Sequence, residues 1–248
     1  MQNAMRSSVK TIRLCALAFL IHAVSLSATA TGQAATGQAG AQSAQSAYPT
    51  MAPLNQYLIA DQNSEIALAR SAALPAISDA AEVMVLGRDG YTTAVHGTNG
   101  FLCIVERSWA SATDSPDFWN PKLRAPNCFN PAATKTFVPI FLMKTKLALA
   151  GKSKEQILQA TTAAFDKKEL PAIEPGAMCY MMSKQQYLGD RDKSWQPHLM
   201  FFVAGNTEKS WGANLDGSPI MAAADPEERV TIFMVGAGKW SDATPFSD

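Results

Sequence analysis

The chain has 248 residues, with 21 basic and 21 acidic side chains. No basic run concentrates the positive charge, which argues against nucleic acid as a partner. Beyond the amino terminus no apolar run approaches the ~20 residues that a membrane-spanning helix needs, so the body of the chain is expected to be soluble.

The amino terminus reads as a cleavable secretory signal over residues 1–30. Arg6, Lys10 and Arg13 form a basic start without an acidic residue. An apolar stretch follows over 14–26, and Ala28-Thr29-Ala30 places small residues where a signal peptidase reads. Cys15 precedes the apolar stretch, the wrong place for a lipid-modified cysteine. Residues 31–50 hold only Ala, Gly, Gln, Ser and Thr before Tyr48. They have too little apolar bulk to offset ordering entropy and read as a disordered linker. One domain is expected over 51–248. Without the three leader cations, 18 basic residues face 21 acidic ones. A periplasmic or secreted location follows.

Three cysteines remain after the leader. In an oxidising compartment two of them should pair. Cys103 lies in a predicted strand and Cys128 in RAPNCFNP, which returns from a long loop, so Cys103–Cys128 is the expected bridge. Cys179, in AMCYMM, reads as a small buried residue. A pairing that uses it instead stays open.

Ser64 reads as the N-cap of a short helix ending before Pro75. Residues 82–87, 91–96 and 101–107 read as strands joined by Arg88-Asp89-Gly90 and by Gly97-Thr98-Asn99-Gly100, an antiparallel three-strand meander. Residues 108–131 carry four prolines and two tryptophans, a density that predicts no regular structure. An apolar helix is expected over 137–150, with Lys144 and Lys146 near its end. Ser153–Gln156 is a capping box opening a second helix. The two make a helical hairpin. Residues 177–183 and 198–204 read as central strands, and 229–235 as a last strand. The sum is an α+β domain with an antiparallel sheet of about six strands and an inserted helical hairpin.

Three segments carry a resemblance: VMVLGRDGYTTAVHGTNGFLCIVERSW, the GKSKEQI helix start, and CYMMSK…WQPHLMFFVAG. Together they resemble a bacterial family of exported proteins with GTNGF-x-C-x-V-x-R and P-H-L-M-F segments. The likeness covers most of residues 75–205 and implies export and a single domain. It implies no activity.

Residues that could carry chemistry are few. His198 follows Pro197 at the mouth of a strand, where pockets gather polar groups. It reads as a ligand contact or a general base, or as a histidine bonded at a strand end. Glu106 and Arg107 alternate, so they point to opposite faces. Both could be solvated past the sheet edge, or Arg107 could clamp a carboxylate or phosphate. Asn99 sits on a turn whose amides could hold an anion. Trp195 is one of four loop tryptophans that could anchor loops or stack on flat ligand faces. His96 reads as a surface residue. No metal-ligand spacing, haem attachment motif, phosphate loop or serine-nucleophile signature is present, so neither metal nor cofactor is expected.

The leading expectation is a non-catalytic domain that binds a small ligand or partner, with His198, Arg107, Asn99 and Trp195 at the site. The alternatives are a small hydrolase using His198 as base with Glu106 or Asp192, and an envelope structural or interaction protein.

Overall fold

Strand β3 (Leu102–Glu106) is buried along its whole length, and the rest of the sheet is built outward from it. The other strands are β1 (Glu82–Gly87), β2 (Gly90–Val95), β4 (Ala125–Phe129), β5 (Met178–Met181), β6 (His198–Ala204), β7 (Ile220–Asp225) and β8 (Val230–Gly236). They form one sheet in the order β2-β1-β3-β4-β5-β6-β8-β7. The helices are α1 (Gln62–Arg70), α2 (Pro75–Ser78), α3 (Pro131–Thr136), α4 (Val138–Leu149) and α5 (Lys154–Asp166).

The computed structural model describes residues 47–247. The expected leader and most of the expected linker lie outside the described residues. Tyr48 and Met51 already pack against the core, so ordered structure begins before the expected boundary at residue 51.

The α+β class is as expected, but the sheet has eight strands rather than six. The first missed strand, β4, is hidden by Pro126. Its neighbour Arg124 bonds Tyr187, and Cys128 faces Tyr180 across β5. Strand alternation therefore aims position 126 at the gap between these two partners, where no donor is required. The second, β7, reads IMAAAD and carries little β propensity. It forms because all six residues pair with β8. Its free edge is closed by side chains. Asn214 exchanges two hydrogen bonds with the Ala222 backbone, and Glu208 accepts from the Ala224 amide. Side chains thus occupy backbone groups that could otherwise pair with another strand.

The expected meander is also corrected. β1 and β2 form an antiparallel hairpin, but β3 pairs with β1 in parallel. After Val95 the chain passes beneath the start of β1 and emerges on its other side. Thr98 N donates to Ala80 O on the way. Gly97 makes the crossing possible, since a Cβ there would lie 2.1 Å from Glu82 N.

Alternation along β3 sends Leu102 and Ile104 to one face, against Phe137, Phe141 and Ile157 of the α4–α5 side. Cys103 and Val105 go to the other, against Ala69, Ala72 and Ala73 in and after α1. Helix α1 is capped by Asp61, whose carboxylate accepts from Asn63 N and Ser64 N, and not by Ser64 as expected. The capping box at Ser153 and Gln156 is present. The α4–α5 hairpin turns at Gly151, where φ is +71°.

Cys103 and Cys128 are directly opposed in the β3–β4 register with their sulfurs at disulfide distance, while Cys179 is free and buried. A bridge closing a loop of this size contributes roughly 3–4 kcal/mol on the chain-entropy model. Non-reducing peptide mapping is expected to recover Cys103 and Cys128 in one linked pair, with Cys179 alkylated only after unfolding. A linkage to Cys179 would contradict the register.

Candidate functional site

Glu106 ends β3 and Arg107 follows it, so the two side chains enter opposite layers. Neither projects into solvent, against the simpler expectation. Arg107 is fully buried. Its Nε donates to Tyr57 O at 2.7 Å, one terminal nitrogen to Val105 O, and the other to Glu65 Oε1 at 2.8 Å. The carboxylate it clamps is therefore Glu65 of α1, and its donors are engaged within the fold. Glu65 Oε1 also accepts from Leu86 N, so this ion pair ties α1 to both β1 and the end of β3.

Glu106 enters a cavity of about 260 Å³ between the sheet and the start of α4. Phe129, Phe137, Phe141, Met200, Phe202 and Ile232 give it largely apolar walls. Only 8% of Glu106 is exposed. Its Oε2 accepts from Asn127 Nδ2 at 2.7 Å. Its other oxygen, Oε1, has no hydrogen-bond partner among the described residues and remains accessible from the cavity. Burial pushes the Glu106 pKa up to about 8, Glu228 adds to the rise, and Lys144 and Asn127 oppose it. At neutral pH the group is chiefly a neutral acid, able to donate from the wall of the cavity.

Two neighbours hold this arrangement. Asn127 Oδ1 accepts from the Cys179 thiol at 3.5 Å, which turns the amide nitrogen toward Glu106. Burial raises the Cys179 pKa well above its ordinary value, so the thiol stays protonated and unreactive. Lys144, expected near the end of its helix, is buried in mid-helix. Its ammonium donates to Ala110 O, Ser111 O and Glu228 Oε1 at 3.2, 2.8 and 2.8 Å. All three protons are thereby used.

A more open groove of about 850 Å³ lies beside the cavity, and Leu188 lines both. Asp117, Arg191, Asp192 and Trp195 line this groove. Gly189 lets its loop approach, since a Cβ there would lie 2.8 Å from Asp117 Oδ2.

The remaining expected site residues are scattered. His198 lines neither the cavity nor the groove. It is 2% exposed, its ring lies 4.4 Å from that of Trp195, and Nδ1 donates to Gln196 O at 2.7 Å. Burial lowers its pKa, so it is a neutral imidazole bonded at a strand end. Asp192 is exposed and pairs with Arg191. Asn99 bonds Ile77 O and Phe101 N and so shapes the crossing beneath β1. His96 is exposed. Trp109 and Trp119 are buried anchors of their loops, and Trp211 stacks on Phe233.

Sequence reasoning missed Asn127, Lys144 and Glu228. Lys144 was legible: with Phe137, Ile140, Phe141, Thr145 and Ala148 it falls on one helical stripe. A lysine on an apolar stripe calls for a buried acceptor. Among the described residues no group of three or more His, Cys, Asp or Glu could hold a metal ion, and no helix is long and apolar enough to cross a membrane.

A carboxyl with a raised pKa holds its proton more tightly in the folded chain. Its stabilising contribution is complete below the ordinary value of 4.5 and is lost as pH rises to about 8. The stability difference between wild type and Glu106→Gln should therefore fall by about 1.4 kcal/mol per pH unit within that window and level off above it. Urea unfolding across the range measures this. A difference that does not change with pH would contradict the buried acid.

Comparison with protein-family models, with curated proteins and with solved structures gave no match, so the functional reading rests on this geometry.

Proposed function

We propose that this chain is an exported, non-catalytic binding domain that holds a small, chiefly apolar molecule in the cavity between the sheet and α4. One observation carries the reading: Glu106 Oε1 is a polar atom without a protein partner, set among apolar walls. A carboxyl oxygen left open inside an apolar cavity is what a ligand pocket uses to orient its occupant.

Export is supported by the leader-like amino terminus and by the opposed Cys103 and Cys128. Such pairs persist in oxidising compartments. The groups a hydrolase would need are not gathered at the cavity, because His198 and Asp192 lie outside its lining. The periplasm or the medium is the working compartment.

A thermal-shift screen of small aromatic and aliphatic molecules tests the reading. A true ligand at a hundredfold excess over Kd should stabilise the fold by about 2.7 kcal/mol. Ala125 faces the cavity beside Glu106, so Ala125→Leu should fill the space and abolish the shift without lowering the Tm of the free protein. A silent screen, or a variant that binds as well as wild type, would overturn the proposal.

A further inference from the structure

The carboxyl groups on the cavity outnumber the cations left to pair with them, and this deepens the binding reading, on which the inference rests. Glu106, Asp225 and Glu228 all line the cavity. Two cations lie near them. Lys144 gives its three protons to Glu228 and to two carbonyls. Arg107 is engaged by Glu65 and by the Tyr57 and Val105 carbonyls. Asp225 Oδ1 accepts from Glu228 N. Each of the three carboxyls keeps one oxygen without a hydrogen bond from the described residues, but of the two that are buried, Glu228 is paired with Lys144 and Glu106 with no cation among the described residues.

We infer that the ligand is a primary amine held as its ammonium ion, with Glu106 Oε1 as counter-ion and the phenyl-lined wall around its apolar body. Asn127 fixes the carboxyl through Oε2, which leaves Oε1 with its lone pairs toward the occupant. Phe129, Phe137, Phe141 and Phe202 line the cavity and supply the apolar wall for the body of the ligand. A cavity of about 260 Å³ exceeds the ~150 Å³ that takes benzene and falls just short of drug-sized pockets. One ring with a short aminoalkyl tail fits that range.

In the free protein a proton occupies the position that the ammonium would take. Binding is then an exchange: the Glu106 carboxylic acid and the ammonium ion give a carboxylate–ammonium pair, and one proton leaves to solvent. The groups that face or act on Glu106 are Tyr91 of β2, Arg107 after β3, Asn127 of β4, Cys179 of β5, Lys144 of α4, and Asp225 and Glu228 at the β7–β8 turn.

Two probes of nearly equal shape separate the possibilities: 2-phenylethylamine and 2-phenylethanol. Isothermal titration of the full chain, in buffers of different ionisation enthalpy, is expected to show the amine binding more tightly. Its Kd should tighten about tenfold per pH unit up to about pH 8, with about one proton released per amine bound. Glu106→Gln should weaken the amine at least tenfold and spare the alcohol. If the alcohol binds as tightly, without proton release and more weakly above about pH 8, the ligand is a neutral hydrogen-bond acceptor and the amine assignment falls. If neither probe binds while other apolar molecules shift the Tm of wild type but not of Ala125→Leu, the amine assignment falls and the cavity reading stands. If nothing binds, both fall.

Discussion

A strand buried on both faces cannot end in two charges unless each is neutralised, and β3 ends in Glu106 followed by Arg107. Taking an unpaired ion into an apolar layer costs several kcal/mol. The two faces meet this constraint differently. Arg107 enters the layer of α1, and Glu65 on that helix supplies its counter-charge. Glu106 enters the layer of α4, where the nearby ammonium of Lys144 is already bound to Glu228. Glu106 instead keeps its proton. The ion pair on one face secures α1 against the sheet, and the carboxyl left on the other face makes a site.

This asymmetry explains why two of the residues that look most chemical in the sequence, His198 and Asn99, are away from the cavity, while Arg107 lines it with its donors already engaged. His198, Asn99 and Arg107 stand out because polar side chains beside apolar runs attract attention. Each answers a local backbone demand instead. His198 donates to Gln196 O, Asn99 holds the crossing beneath β1, and Arg107 donates to two carbonyls besides Glu65. The residues that shape the cavity sit in segments that carry no such signal: Lys144 in an apolar helix, and Asn127 in a proline-rich stretch that reads as a loop.

Legibility followed locality. The β1–β2 hairpin, the capping box at Ser153, the strands over 177–183 and 198–204 and the opposed cysteines were readable because each depends on a short stretch of chain or on an alternation that burial enforces. The parallel β1–β3 pairing was not, because Gly97 serves both a tight turn and a close backbone crossing, and only the fold distinguishes them. β4 and β7 were missed because partners supply what their residues lack. The gap between Tyr187 and Tyr180 admits Pro126, and full pairing with β8 holds the alanines of β7. Glu106 was recognised as a candidate, but its role depends on Asn127 and Lys144, each brought beside it from a different element.

The Glu106 carboxyl stands largely buried on the cavity wall, bonded to Asn127 and paired with no cation among the described residues. Its side-chain carboxyl carbon, followed by NMR in ¹³C-glutamate-labelled protein and assigned with Glu106→Gln, reports this directly. A titration midpoint near 8 is the predicted result. A midpoint at the ordinary carboxylate value would mean that the group is solvated or paired, and would contradict the account.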